Sequence, residues 1–174
     1  MSGITSSKFT TSYDPLLAGS IDGTDTKPHD SAVARAIHCE YTPKSDPILA
    51  DYTLFVARLN PLTKEITLKE YFSRYGTVRK VTIVRDIVTG ESKCYAFVIF
   101  KHRRDVEYAY NRAHHKLIDD REIIVDYELQ HKLVGWKPRR LGGGLGGKKE
   151  SGQLRFGGRE RPFAQPIVRE REGN

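Results

Sequence analysis

The segment Lys93–Phe100 carries three aromatic side chains, at Tyr95, Phe97 and Phe100. Because side chains alternate along a strand, Tyr95, Phe97 and Ile99 would share one face and the side chains between them the other. Both faces are apolar, so one can enter a core and the second needs another partner. Exposed aromatic rings that follow a lysine along a strand are suited to stacking nucleic-acid bases.

A second segment, Leu54–Leu59, places Phe55 on one face and Leu54 on the opposite face. We predict that the Phe55 ring stacks bases together with the two rings of the first segment. Arg58 and Lys93 flank these rings, and each is a candidate for pairing with a phosphate.

The positive charge of the chain is concentrated in its last quarter. Residues 129–174 hold 11 Lys/Arg against 4 Asp/Glu, which accounts for the whole net charge of +7. This asymmetry indicates a polyanionic partner, and the lack of a long apolar run argues against a membrane. The tail has no apolar periodicity, so we expect it to form no core of its own and to order on binding. The tail residues predicted to bind nucleic acid are Trp136, Lys137, Arg139, Arg140, Arg155 and Arg159.

Catalytic, metal and cofactor chemistry has little support in the sequence. Cys39 and Cys94 are far apart and form no Cys-x-x-Cys pair, which argues against zinc and for reduced thiols. The segment Gly142–Lys148 contains patterns like those of nucleotide-binding loops, but it lacks the strand before and the helix after that such loops need. No Ser/His/Asp or Cys/His set falls on facing elements. We therefore predict no enzyme activity, metal, cofactor or small-molecule substrate.

The remaining periodicity predicts a small α+β domain. Strands are predicted at Leu54–Leu59, Val78–Val84, Lys93–Phe100 and Ile123–Asp126, with helices at Thr63–Tyr75 and Arg104–Ala113. This order is the ferredoxin-like split βαβ sandwich, in which two helices cover one face of a four-stranded antiparallel sheet. Gly76 is expected to end the first helix as a left-handed cap.

Three regions follow from this assignment. Residues 1–51 are predicted to form a mostly irregular N-terminal head with a short helix near Asp30–Cys39. Residues 52–128 are predicted to form the α+β domain, and residues 129–174 a basic Gly/Arg-rich tail. The head and tail are expected to be flexible extensions.

Both aromatic segments resemble the signatures of the RNA-recognition motif. Lys93–Phe100 resembles the longer signature at every position except Cys94, where glycine is usual. Leu54–Leu59 resembles the shorter signature, with Arg58 where many members carry Asn or Gly. The two signatures in the correct strand order identify residues 52–128 as an RNA-recognition motif.

Further segments narrow this resemblance to a spliceosomal family. Leu54–Asn60 and Gly135–Gly147 resemble the seventy-kilodalton protein of the major spliceosome's first small nuclear ribonucleoprotein. Similarity to the minor-spliceosome branch of that family lies in Tyr13–Leu16, Gly19–Asp25, Arg85–Gly90 and Lys148–Arg159. The long Arg/Glu/Asp-rich tail of that branch is missing, which suggests a short or truncated form.

The resemblance implies a nuclear, RNA-binding subunit of the minor-spliceosome small nuclear ribonucleoprotein that acts in precursor-mRNA splicing. The sheet aromatics and the basic tail would bind a hairpin of the small nuclear RNA that recognises five-prime splice sites, and the head would contact other subunits. One alternative is a general single-stranded-RNA regulator without a fixed particle. Another is a protein-binding variant of the motif, against which the intact aromatic triad argues.

Overall fold

The computed structural model describes residues 12–20, 24–147 and 154–155. Their helices are α1 (Pro15–Gly19), α2 (Ser31–His38), α3 (Glu65–Ser73), α4 (Arg103–Ala113) and α5 (Leu129–Lys132), with 3-10 helices at Pro47–Tyr52 and Arg139–Leu141. Their strands are β1 (Thr53–Ala57), β2 (Val78–Arg85), β3 (Ser92–Phe100), β4 (Leu117–Ile118), β5 (Arg121–Glu122) and β6 (Ile124–Tyr127). The chain divides into two compact units. One is Ser45–Glu128, and the other combines the described parts of Met1–Lys44 and Leu129–Asn174.

The unit Ser45–Glu128 has a four-stranded antiparallel sheet in the order β2-β3-β1-β6. The two middle strands are therefore β1 and β3, the strands that carry the predicted aromatic residues. The helices α3 and α4 pack on one face, so the predicted split βαβ fold is confirmed. A small hairpin of β4 and β5, which the sequence analysis missed, precedes the last strand.

The alternation along β3 separates a core face from an open face, as predicted. Ala96, Val98 and Phe100 are buried, whereas Tyr95 and Phe97 are only partly buried. From the helices, the core receives Leu68, Phe72, Val106, Ala109, Tyr110 and Ala113. Burying each large apolar side chain stabilises the fold by about 1.5–3 kcal/mol. The core therefore holds the middle strands against the helices, and their other face remains partly exposed.

The prediction that Gly76 ends the helix α3 as a left-handed cap is wrong. Gly76 is not among the residues with a left-handed backbone, and Arg74 after the helix remains right-handed at φ −68°. A Cβ atom on Gly76 would lie 2.3 Å from the carboxyl carbon of Asp105. The glycine is needed because α4 approaches closely, and not because the chain reverses there.

The second unit, which combines the described parts of the head and the tail, has a core to which both contribute. Tyr13 and Ala18 from the head form a buried cluster with Leu129 and Leu133 from the tail, and Trp136 packs against it. The Tyr13 and Trp136 rings are 4.9 Å apart at their centroids, in an edge-on arrangement. In the part of the tail that the structure describes, Leu129 and Leu133 therefore find their apolar partners in the head.

The predicted head helix is confirmed as α2 (Ser31–His38). Asp30 is its N-cap, and the Asp30 Oδ1 atom accepts a hydrogen bond of 2.6 Å from the Val33 N–H. Such a cap stabilises a helix by about 1 kcal/mol. Buried Ala32, Val33 and Ala36 fix this helix within the second unit.

Candidate nucleic-acid interface

The sheet brings the three predicted aromatic residues together on its open face. Phe55 and Phe97 are direct cross-strand partners, and Tyr95 lies two residues before Phe97 in β3, on the same face. The Phe55 centroid lies 5.7 Å from those of both Tyr95 and Phe97, and the latter two lie 6.3 Å apart. All three rings are partly exposed. They form a contiguous platform on which successive bases could stack.

The neighbouring strand β2 adds polar side chains to this open face. Thr82 is the register partner of Phe97, and Lys80 is the partner of Ile99, so both belong to the open face. Both are exposed. Sequence reasoning missed Thr82, although the alternation of polar residues along β2 indicates that Thr82 shares a face with Lys80.

The two predicted cations beside the platform are exposed and close in the register. Arg58 follows β1 directly, and Lys93 precedes Tyr95 by two residues in β3. The Leu59 N–H donates to the Cys94 carbonyl oxygen at 2.9 Å, which ties these strand ends together. The arrangement places positive charge at one end of the aromatic platform.

The predicted tail residues from 136 to 140 are engaged within the second unit. Lys137 Nζ donates to the Cys39 carbonyl oxygen, and Arg139 Nη2 donates to the Leu145 carbonyl oxygen at 2.7 Å. Burial and the nearby charge of Arg155 lower the Arg139 pKa. Arg140 is exposed, with its guanidinium carbon 5.6 Å from the centre of the Tyr41 ring. Arg140 is therefore the most accessible of these cations.

Arg155 requires a correction, because its side chain is completely buried. Its Nε and Nη2 atoms donate to the Gly142 carbonyl oxygen at 3.2 and 2.6 Å, and Nη1 pairs with Asp30 Oδ2 at 3.3 Å. Burial alone would raise the Asp30 pKa, but the Val33 N–H and the Arg155 charge hold it below its usual value. Arg155 thus fixes the glycine-rich loop instead of facing a phosphate. Arg159 lies outside the described residues.

Comparison with known proteins agrees with this geometry. The RNA recognition motif family model matches residues 54–124. The U11/U12 small nuclear ribonucleoprotein 35 kDa protein of Bos taurus is 63% identical over 89% of this chain and 64% of its own length. Its counterpart in Danio rerio is 55% identical over 89% of this chain and 75% of its own length. The chain belongs to the U11/U12 small nuclear ribonucleoprotein 35 kDa protein family.

The predicted relation to the major-spliceosome protein is also confirmed. The U1 small nuclear ribonucleoprotein 70 kDa of Drosophila melanogaster is 42% identical over 62% of this chain and 25% of its own length. The identity and the coverage are both lower than those of the U11/U12 relatives, so the chain belongs with the U11/U12 proteins. The chain spans about 64% of the length of the Bos taurus relative.

Cys94 stands where the signature of the RNA-recognition motif has glycine, and its backbone shows the reason for that preference. The φ angle of Cys94 is 62°, and that of Arg58, which lies opposite, is 61°. The register of β3 with β2 also shifts near this point, between Ile83 and Arg85. A side chain in the left-handed region costs about 1–2 kcal/mol, which glycine avoids. Lys93 therefore lies beside a kink in β3, where the pairing with β2 is irregular.

The positive φ angle of Cys94 predicts how two substitutions at this position change stability. We expect Cys94→Val to lower the free energy of unfolding by at least about 2 kcal/mol, since a β-branched side chain is strained at positive φ. Cys94→Gly should stay within about 1 kcal/mol of the parent, because relief of strain offsets the loss of the packed thiol. Urea denaturation followed by circular dichroism measures both. Equal unfolding midpoints for the two variants would show that the kink imposes no strain.

Two further observations on the described residues concern metal-binding groups and membrane-spanning helices. Among the described residues, no group of three or more His, Cys, Asp or Glu side chains is placed to hold a metal ion. No helix within residues 12–20, 24–147 and 154–155 is long and apolar enough to cross a membrane.

Proposed function

We propose that this protein binds single-stranded RNA on the open face of its sheet, as a nuclear subunit of the minor-spliceosome small nuclear ribonucleoprotein. The observation that carries the proposal is the contiguous platform of Phe55, Tyr95 and Phe97, whose centroids lie 5.7–6.3 Å apart. Membership of the U11/U12 family supports the particle, and the matched RNA recognition motif supports the ligand.

Binding combines stacking with charge. Unpaired bases of a hairpin loop stack on the three rings, and each stacked base contributes about 1–3 kcal/mol. Arg58 and Lys93 pair with phosphates at one end of the platform, and Thr82 offers a hydroxyl to a base edge. Arg140 provides a further phosphate contact from the second unit. No bond is made or broken, so the proposed role is recognition within splicing and not catalysis.

The RNA is proposed to be the small nuclear RNA of the minor spliceosome that recognises five-prime splice sites, with other ribonucleoprotein subunits as protein neighbours. Crosslinking of the protein to RNA in nuclear extract, followed by sequencing, tests this. A single small nuclear RNA, crosslinked near the sheet aromatics, is the expected result. A broad pool of messenger RNAs would instead favour the general single-stranded-RNA regulator.

The proposed phosphate contacts predict a change in salt dependence. On a single strand, each neutralised phosphate contributes about −0.7 to the slope of log K against log salt. We therefore expect Arg58→Gln, Lys93→Gln and Arg140→Gln each to flatten the slope by about 0.7. Fluorescence anisotropy with the hairpin across a series of salt concentrations measures it.

Arg104→Gln is the matched control for these variants. The Arg104 side chain is 86% exposed on α4, on the helical side of the sheet. Its removal should leave the salt slope unchanged. If Arg104→Gln flattened the slope as much as Lys93→Gln, the effect would reflect net charge and not phosphate contacts beside the platform.

A further inference from the structure

A cleft of about 560 Å³ lies on the helical side of the unit Ser45–Glu128 and plays no part in the proposed RNA binding. Arg74 and Tyr75 line it from the end of α3, Tyr108 and Arg112 from α4, and Lys116 from the segment after α4. None of the described residues that line the cleft is acidic. The cleft therefore combines three cations with two aromatic rings.

The two arginines of this cleft are held in place by tyrosine rings. The guanidinium carbon of Arg74 lies 4.2 Å from the centre of the Tyr71 ring, and that of Arg112 lies 4.7 Å from the centre of the Tyr108 ring. The Tyr108 ring in turn packs edge-on against Tyr75, with 6.0 Å between centroids. Cation–π contacts of this kind restrict the arginine side chains before any ligand arrives. The positive charges are thus preorganised while they remain exposed.

We propose that this cleft binds an acidic peptide segment of a protein partner. Guanidinium groups pair with carboxylates through two parallel hydrogen bonds, and Lys116 adds a third positive charge at the rim. The Tyr75 and Tyr108 rings offer an apolar wall for the aliphatic part of a glutamate or a neighbouring side chain. A volume of about 560 Å³ accommodates a few peptide side chains.

The geometry favours a peptide over a second RNA site. Base stacking needs a free ring face, yet in the cleft the Arg112 guanidinium group covers one face of Tyr108, and Tyr75 packs edge-on against the same ring. The platform of Phe55, Tyr95 and Phe97 also lies on the face of the sheet opposite to α3 and α4. RNA stacked on that platform does not reach the cleft without passing around the edge of the sheet. A protein neighbour can occupy the cleft while RNA occupies the platform.

Nuclear magnetic resonance with the full chain tests the proposal. The probe is an acetylated, amidated Glu-Glu-Leu-Glu-Glu peptide, and the matched control peptide replaces every glutamate with lysine. We expect the acidic probe to shift the backbone amide signals of Tyr75, Tyr108 and Lys116, and the lysine peptide to leave them in place. In the double variant Arg74→Gln/Arg112→Gln, the affinity for the acidic probe should fall about tenfold.

Controls separate this site from general electrostatics. Both arginines are exposed, so the double variant should keep the dispersed amide spectrum of the parent, and Lys116→Gln provides an independent variant. Arg104→Gln, on the same helix but outside the cleft, should bind the probe as the parent does. An acidic probe that shifts no cleft amide, or that binds the double variant equally well, would overturn the proposal. An equal loss of hairpin RNA affinity in the double variant would assign the cleft to RNA instead.

Discussion

Replacing Phe97 with alanine is expected to weaken binding of the hairpin RNA by roughly ten- to a hundredfold. Each base stacked on an aromatic ring contributes about 1–3 kcal/mol, and Phe97 contacts both other rings of the platform, so its loss also loosens their packing. The fold should survive because Phe97 is only partly buried on the open face. Fluorescence anisotropy measures the affinity, and the thermal unfolding midpoint checks the fold.

Two further variants distinguish stacking from simple burial. Phe97→Tyr keeps an aromatic face and should retain most of the affinity, whereas Phe97→Leu keeps apolar volume and should bind nearly as weakly as alanine. Leu117→Ala removes an exposed apolar side chain of β4, outside the four-stranded sheet, and should leave the RNA affinity unchanged. If Phe97→Leu bound as tightly as the parent, stacking on this ring would not be the source of the affinity.

The second large effect is expected at Gly142, in the glycine-rich loop that Arg155 fixes. Gly142 has φ 95°, and a Cβ atom there would lie 2.0 Å from the carbonyl oxygen of Ala32 in α2. Gly142→Ala therefore combines left-handed strain of about 1–2 kcal/mol with overpacking of about 1–3 kcal/mol. The substitution should destabilise the second unit by several kcal/mol. Trp136, the only tryptophan of the chain, reports on this unit through its fluorescence during urea unfolding.

Gly144→Ala is the matched control in the same loop. Gly144 has φ 86°, so a substitution there carries the same kind of strain, but the atom nearest to an added Cβ is Arg139 Cβ at 3.3 Å, a contact that a shift of a few tenths of an ångström relieves. We expect it to cost only the strain of about 1–2 kcal/mol. The tryptophan transition of Gly142→Ala should therefore lie at clearly lower urea than that of Gly144→Ala. Coincident transitions would mean that α2 moves away from the loop at little cost.

The sheet and its aromatic platform could be predicted because their signals are local. A period of two along Lys93–Phe100 and along Leu54–Leu59 determines which side chains share a face, and a sheet built from both strands must bring those faces together. The positions of the strands followed to within a few residues. Gly76 was misread because a helix-capping glycine and a glycine that admits a neighbouring helix look identical in sequence.

The second unit could not be predicted, since its core joins residues from opposite ends of the chain. Tyr13 contacts Trp136 and the Gly144 carbonyl oxygen, and nothing in the sequence near either residue identifies the other. The structural role of Arg155 could not be predicted either, because its partners Asp30 and Gly142 are distant in the sequence. An arginine that neutralises a phosphate and one that binds Gly142 and Asp30 in the interior have the same side chain, and only the fold distinguishes them.

The shared core of head and tail has a consequence for synthesis on the ribosome. Tyr13 and Ala18 are made early, but Leu129 and Leu133 emerge only after the whole of Ser45–Glu128. Because domains fold as units and earlier segments fold first, the RNA-recognition motif can complete its sheet while the head still lacks its partners. Tyr13 and Ala18 of the head then remain exposed until the ribosome has translated the glycine-rich loop. Nascent chains arrested before that loop should therefore be protected from protease in the motif but cleaved in the head.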